Sequence, residues 1–356
     1  MLGERLMQAR HAIGLSQRAL AKNVGVSAMM ISKYERARSV PSSDVLLALA
    51  RALGVRTEYF FRIPAVNLEH VQHRNRHVWK LPISAEKKVL ADARDQLERW
   101  LVLDKITPAP WSIPFTLPDD LPDIIEDLDA IEPIATRMRH HWKLGLNPIP
   151  DLIDTLESRG LKVFTTKFDD PRFEGMSALA GEHRIIVVSR HWPGDRQRFT
   201  LAHELGHIVL DDRLATHIDK EDAANRFAGA FLVPEEKVTE VLGNHRQSLE
   251  FPELYLLKHE FGLSMAGWSY RALATGVISK TSHKAFRQVF AREGWKEKEP
   301  GEQCPPESPR LFDQTVYRAL SEGWIGESKA AELLSITTHE LAARRRMETI
   351  DGNSRE

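Results

Sequence analysis

The run Phe199-Thr-Leu-Ala-His203-Glu204-Leu-Gly-His207-Ile-Val-Leu210 decides how the second half of this chain is read. Its apolar residues Leu201, Leu205, Ile208 and Val209 recur at helical spacing and predict a face buried against a sheet. Residues four apart on a helix lie about 5–6 Å from one another, so the imidazoles of His203 and His207 can converge on one ion. Imidazole nitrogen suits zinc, which accepts a tetrahedral site with one position open. Glu204 stands beside the first histidine, where a carboxylate can take a proton from water held at the ion. Alone, the pattern is suggestive only, because a surface helix with two histidines would also show it.

A zinc site needs a third protein ligand, usually from a neighbouring helix. Glu221-Asp-Ala-Ala-Asn225-Arg-Phe-Ala228 begins 14 residues after His207, room for a turn and a second helix. Ala224, Phe227, Ala228 and Phe231 mark its buried stripe, and Glu221 is the expected ligand. Asn225 lies one turn further on the same face, where it can steady a ligand from the second shell. The rival, Asp222, points about 100° away around the helix. Upstream, a helix over 151–159 ends at Gly160 and is followed by a strand over 162–166. An extended piece over 176–180, a turn at Gly181-Glu182-His183 and a strand over 184–189 complete a small α+β pattern. Pro193-Gly194-Asp195 leads into the metal helix, expected over 196–210. No internal repeat is evident.

The run Arg198-Phe-Thr-Leu-Ala-His203-Glu204-Leu-Gly-His207, with Glu221-x-x-Ala224-Asn225-x-Phe227-Ala228 and Val233-Pro234, resembles the ImmA/IrrE family of bacterial metallopeptidases. The likeness runs from about 130 to 275 and takes in Leu263-Ser264-Met265 and Arg271. It implies a gluzincin-like domain that cleaves a transcriptional repressor or antitoxin. It also implies that His203, His207 and Glu221 bind zinc, and that Glu204 is the general base. Manganese is the alternative ion, since a His/His/Glu set accepts either. His183, His217 and Tyr270 are candidates for a second oxyanion donor, but nothing in the sequence selects one. The piece 176–180 reads either as a plain edge strand or as an edge to which a peptide substrate adds.

The first 62 residues carry a different message. They hold ten Lys or Arg against four acids, a net +6 within a chain of overall charge −1. A basic head on an acidic body points to a polyanionic partner for the head alone. Ser16 and Ser27 are expected to cap helices over 17–23 and 28–36, and a further helix runs over 44–53 to Gly54. Ser16-Gln17-x-x-Leu20-Ala21-x-x-Val24-Gly25-Val26-Ser27-x-x-x-Ile31-Ser32-x-x-Glu35 resembles the XRE-type, phage-repressor-like helix-turn-helix family. That implies a five-helix domain binding double-stranded DNA through residues 1–62, with a homodimer as one expected assembly. Ser27, Ala28, Met29, Ser32 and Lys33 would face bases, while Gln17, Arg18, Lys33, Arg36 and Arg38 would meet phosphates. Ala37 stands where the family usually has glycine, and Ala28-Met29-Met30 offers few hydrogen bonds to base edges.

Elsewhere the sequence is less specific. Residues 85–104 predict a helix that either packs on its own domain or dimerises, and the acid-rich stretch 119–132 reads as a linker or solvated face. Residues 295–309, rich in Glu and Pro, read as a flexible connector, with Cys304 an incidental loop residue. Residues 323–341 read as helix, turn, helix, expected to close the peptidase domain rather than to read DNA. The expected layout is a multidomain chain. A helix-turn-helix domain over 1–65 precedes a linker over 66–130, a zinc peptidase over 131–275 and a helical C-terminal region over 276–356. With one cysteine and no apolar run of bilayer length, a cytoplasmic protein is expected, at the nucleoid when on DNA. The functional expectation is a regulatory zinc endopeptidase with a DNA-binding head, acting in stress or mobile-element control. Its alternative is a helix-turn-helix regulator or antitoxin whose zinc domain is sensory or structural.

Overall fold

The computed structural model describes residues 2–61, 83–108, 113–166, 170, 172–296 and 298–348. They divide into two compact units, one of 2–61, 83–108 and 310–348, the other of 113–309. In the first unit, α1 (Leu2–Ala12), α2 (Gln17–Val24), α3 (Ala28–Glu35) and α4 (Ser43–Leu53) follow in order. The hydroxyls of Ser16, Ser27 and Ser42 accept the backbone N–H three residues on, which sets where α2, α3 and α4 begin. Gly25 and Gly54 end α2 and α4 in the left-handed conformation that a residue with Cβ avoids. Leu6, Leu20, Ile31, Leu49, Leu53 and Phe60 form the core. The expected fifth helix is a 3-10 turn, Thr57–Phe61. Ala37 takes φ +55°, so the turn after α3 is kept and the alanine bears the strain.

The long helix α5 (Ile83–Ile106) packs against α1, and Arg5 pairs with Glu98 where both are buried. Of its two readings from sequence, packing on its own domain is the one the structure shows.

The second unit holds α6 (Ile131–His141), α7 (Leu152–Ser158), β1 (Lys162–Thr166), β2 (Gly175–Ala180) and β3 (His183–Ser189). The helices α8 (Gly194–Leu210), α9 (Lys220–Leu232), α10 (Glu235–Leu242), α11 (Phe251–Phe261), α12 (Met265–Ala274) and α13 (Lys280–Arg292) follow. The sheet runs β1-β3-β2, with β1 parallel and β2 antiparallel to β3. The tight hairpin that pairs Ala180 with His183 leaves β2 at the edge. Leu201, Leu205 and Val209 bury one side of α8 in a core shared with Val163, Ile186, Phe227 and Phe231. Among the described residues no helix is long and apolar enough to cross a membrane.

Three expectations need correction. The acid-rich stretch is not a free linker: Ile125 exchanges backbone hydrogen bonds with Arg213 and Ala215, and buried Glu132 accepts two bonds from Arg271. Nor is 298–309 a loose connector. The Glu299 carboxylate accepts from the N–H groups of Met265 and Ala266 at the start of α12. Glu307 does the same for Leu152 and Ile153 at the start of α7, and the Cys304 carbonyl accepts from Gly194 at the start of α8. One strap thus satisfies orphan donors at three helix N-termini, which stabilises negative charge there. Finally, α14 (Leu311–Ser321), α15 (Glu327–Leu333) and α16 (Thr338–Arg345) belong to the first unit. Leu103 of α5 is buried among Val316, Ala331 and Leu341, and Trp100 meets Phe312 edge-on. The region 276–356 therefore divides at about Pro309, because α5 carries an apolar face that the last three helices cover.

Candidate metal centre

His203 and His207 project from one side of α8, and Glu221 from the first turn of α9. The two Nε2 atoms lie 3.0 Å apart, and the Glu221 carboxylate lies 3.3 Å from one and 3.4 Å from the other. Two donors at zinc-bond length from a common tetrahedral centre are separated by about 3.4 Å. Among the described residues these three are the His/Cys/Asp/Glu group whose ligand atoms converge within 4.8 Å.

The close approach of the two helices has a local cause. A Cβ on Gly206 would lie 3.2 Å from Ala224 Cα and 3.2 Å from Phe227 Cδ1. Glycine at this crossing lets α9 come near enough for Glu221 to reach the histidines. The far end of α9 is tied down by arginines. Arg139 donates to the Phe231 carbonyl, and Arg271 donates to the Val233 carbonyl while held bidentate by Glu132.

The outer nitrogens of the ligands are also engaged. His203 Nδ1 lies 3.0 Å from Asn225 Oδ1, and His207 Nδ1 lies 2.9 Å from Asp211 Oδ1. A carboxylate only accepts, so Nδ1 of His207 carries the proton and Nε2 is the nitrogen turned to the ion. Asp211 was missed in the sequence although it lies one turn beyond His207, the spacing that placed Asn225 beside Glu221. An acid at a helix C-terminus opposes the helix dipole, and its partner accounts for its position.

Burial pulls His207 down, but its bonds to Asp211 and Glu221 outweigh this and lift it to about 9. Burial pushes Glu221 up, and the two histidines overcome it to hold the carboxyl at about 2. Glu204 is only 4% exposed, and its Oε2 has no hydrogen-bond partner among the described residues. Burial pushes its carboxyl above the usual range, against the pull of His203 and His207. The donor set, the fixed tautomer and an orphaned buried carboxylate oxygen beside the cluster together fit a divalent ion.

The other candidates are occupied elsewhere. His217 Nε2 contacts the Glu126 carbonyl, the Tyr270 hydroxyl accepts from Arg287, and His183 opens β3 at the hairpin. Asp222 is exposed and outside the cluster.

In the N-terminal module, Arg18, Ser27, Met29, Lys33, Arg36 and Arg38 are exposed. Ser32 is half-buried, and Ala28 packs against the core. The Gln17 amide donates to Glu35, whose carboxylate also receives Arg10, so Gln17 helps fix α2 against α3.

Residues 156–272 match the family pattern described as an IrrE N-terminal-like domain, and residues 6–60 match a helix-turn-helix pattern. The chain carries an XRE-type helix-turn-helix at its N-terminus and an ImmA/IrrE-like domain behind it. For such a domain the family implies a bound metal ion. A transcriptional regulator in the ATPase CF(0) region of Rhodospirillum rubrum is 40% identical over 78 residues, 22% of this chain and 68% of its own length. The radiation response metalloprotease IrrE of Deinococcus radiodurans is 38% identical over 78 residues, 18% of this chain and 24% of IrrE. A propionyl-CoA carboxylase regulator of Cereibacter sphaeroides is 23% identical across 82% of this chain and 72% of its own length.

Proposed function

We propose that this regulator is a zinc-dependent endopeptidase under DNA-directed control, which cleaves a transcriptional repressor or an antitoxin in the cytoplasm. The observation that carries this reading is Glu204, buried beside the converging His203, His207 and Glu221 with its Oε2 left without a hydrogen bond. An ion that only held structure would need no such carboxylate. When bound, the ion acidifies a water and polarises a carbonyl. Glu204 accepts the proton and delivers it to the departing amine, and the raised carboxyl suits both halves of that exchange. Asn225 and Asp211 keep the imidazoles aimed while this happens. The edge strand β2 passes close to the base: a Cβ on Gly175 would lie 3.8 Å from Glu204 Cγ. A substrate that adds to this edge as a strand brings its scissile bond to Glu204. Arg18, Lys33, Arg36 and Arg38 meet phosphates, and Ser27, Met29 and Ser32 face the major groove.

Glu204→Gln tests the reading. It keeps zinc and DNA binding, and lowers cleavage of a co-expressed repressor or antitoxin by about 10²–10⁴-fold. Full biological activity in a zinc-loaded Glu204→Gln protein would refute proteolysis. The second reading, a regulator whose zinc domain senses a ligand, would then stand; it is favoured by the long alignment with a relative named as a regulator.

A further inference from the structure

The last three helices repeat the design of the N-terminal reader in one unbroken register. In both places a short helix ends at a left-handed residue, Gly25 at φ +73° and Ser335 at φ +56°. The next residue, Val26 or Ile336, turns inward, and its N–H donates to the carbonyl of Ala21 or Ala331. The residue after that, Ser27 or Thr337, caps the following helix by accepting the N–H three positions on. Ile31 and Leu341 then fill the core at the same turn of that second helix. Even the polar tie between the helices is reproduced. Gln17 donates to Glu35 in the first copy, and Arg345 pairs with Glu327 at the same two positions in the second. Of these paired positions only Ala21 and Ala331 are identical, which hides the repeat from a reading of the sequence.

We propose that α15 and α16 form a second helix-turn-helix that contacts double-stranded DNA. Thr338 and His339, both exposed, occupy the places that Ala28 and Met29 hold on α3. They bring hydrogen-bonding side chains to a position where the first copy has none. Beyond them Arg344, Arg345 and Arg346 are exposed, against Glu340 as the one acid between Thr338 and Met347. Arg345 and Arg346 pair with Glu327 and Glu348 on well-exposed side chains. Exposed pairs of this kind are weak and exchange readily, so DNA phosphates can displace the glutamates. Asp313, Glu322, Glu327, Glu332, Glu340 and Glu348 stand against Arg318, Lys329, Arg344, Arg345 and Arg346, so residues 311–348 carry a net −1 where residues 1–62 carry +6. The excess of basic charge is confined to the end of α16, which suits a supporting contact rather than the main one.

The test is duplex binding by the full chain over a range of salt. Arg344→Ala with Arg346→Ala is expected to weaken binding about tenfold and to lower the slope of log K against log salt by about 2, one phosphate for each arginine. Against a background of Lys33→Ala and Arg36→Ala, the same pair is expected to remove the residual binding. Both arginines are exposed, and a thermal melt equal to the parent's checks that the fold is kept. Arg344→Gln with Arg346→Gln serves if alanine lowers the melt. Affinity and salt slope unchanged in these variants would overturn the proposal and leave α15 and α16 as packing elements.

Discussion

Asp211 holds Nδ1 of His207 at 2.9 Å from the C-terminal end of the helix that supplies both histidines, and both side chains are buried. The contact is local in sequence yet acts on the ion through the ring. Asp211→Ala frees the imidazole to rotate and to change tautomer. Zinc affinity measured by chelator competition should fall about 10–100-fold. Asp211→Asn keeps an oxygen that accepts from Nδ1 and should lose less. Equal affinity in all three proteins would show that packing alone orients His207.

Zinc binding should strengthen with pH. At neutral pH the proton count on His207 is high, because its contacts lift it to about 9, and its Nε2 proton must leave before the nitrogen can bind an ion. Affinity therefore rises as pH approaches 9 and levels above it, while Glu221, at about 2, is already ionised and adds nothing to the slope. Calorimetry at pH 7.5 in buffers of different ionisation enthalpy should register about one proton released per ion. No release would contradict the charged state of His207.

Gly206→Ala probes the helix crossing. The new Cβ meets Ala224 Cα and Phe227 Cδ1 at 3.2 Å, and a backbone atom cannot swing aside. The two helices must part by a few tenths of an ångström. Denaturant unfolding should show a loss of about 1–3 kcal/mol, and zinc should bind more weakly because Glu221 moves with α9. Unchanged zinc binding would mean that Glu221 reaches the ion without the close crossing.

The strap offers a test outside the metal cluster. Glu307→Ala uncaps Leu152 and Ile153 and leaves the buried guanidinium of Arg198 without its carboxylate. Removing one partner of a buried pair costs about 3–5 kcal/mol, so the melting temperature of the second unit should drop by several degrees or more. A melt within one degree of the parent's would show that the strap is peripheral.

Ala37→Gly should work in the opposite direction. At φ +55° the alanine is strained; relief of about 1–2 kcal/mol is partly offset by the greater freedom of glycine in the unfolded chain. A net gain of about 0.5–1 kcal/mol in the helix-turn-helix is expected, read by thermal unfolding. A loss would place the strain elsewhere in the turn.

Local chemistry was legible in the sequence. Ser16, Ser27, Gly25 and Gly54 act on their own backbone neighbours, so their types alone mark where helices start and stop. The spacing of His203, His207 and Glu221 follows from helix geometry, and the three ligands come together as that spacing predicts. Contacts between residues far apart in the chain were not legible, because composition says nothing about which distant surface a side chain will meet. Residues 298–309 look like a connector until Glu299 and Glu307 are seen on the bare N–H groups of helices that begin far earlier in the chain. The acidity of Glu132 pointed to solvent, and only the fold supplies Arg271. Likewise the last three helices showed a turn but not their partner, since the apolar face they cover lies on α5. Sequence determined which three side chains, His203, His207 and Glu221, converge and where the helices begin and end; tertiary structure alone decided which charges are paired and which helices share a core.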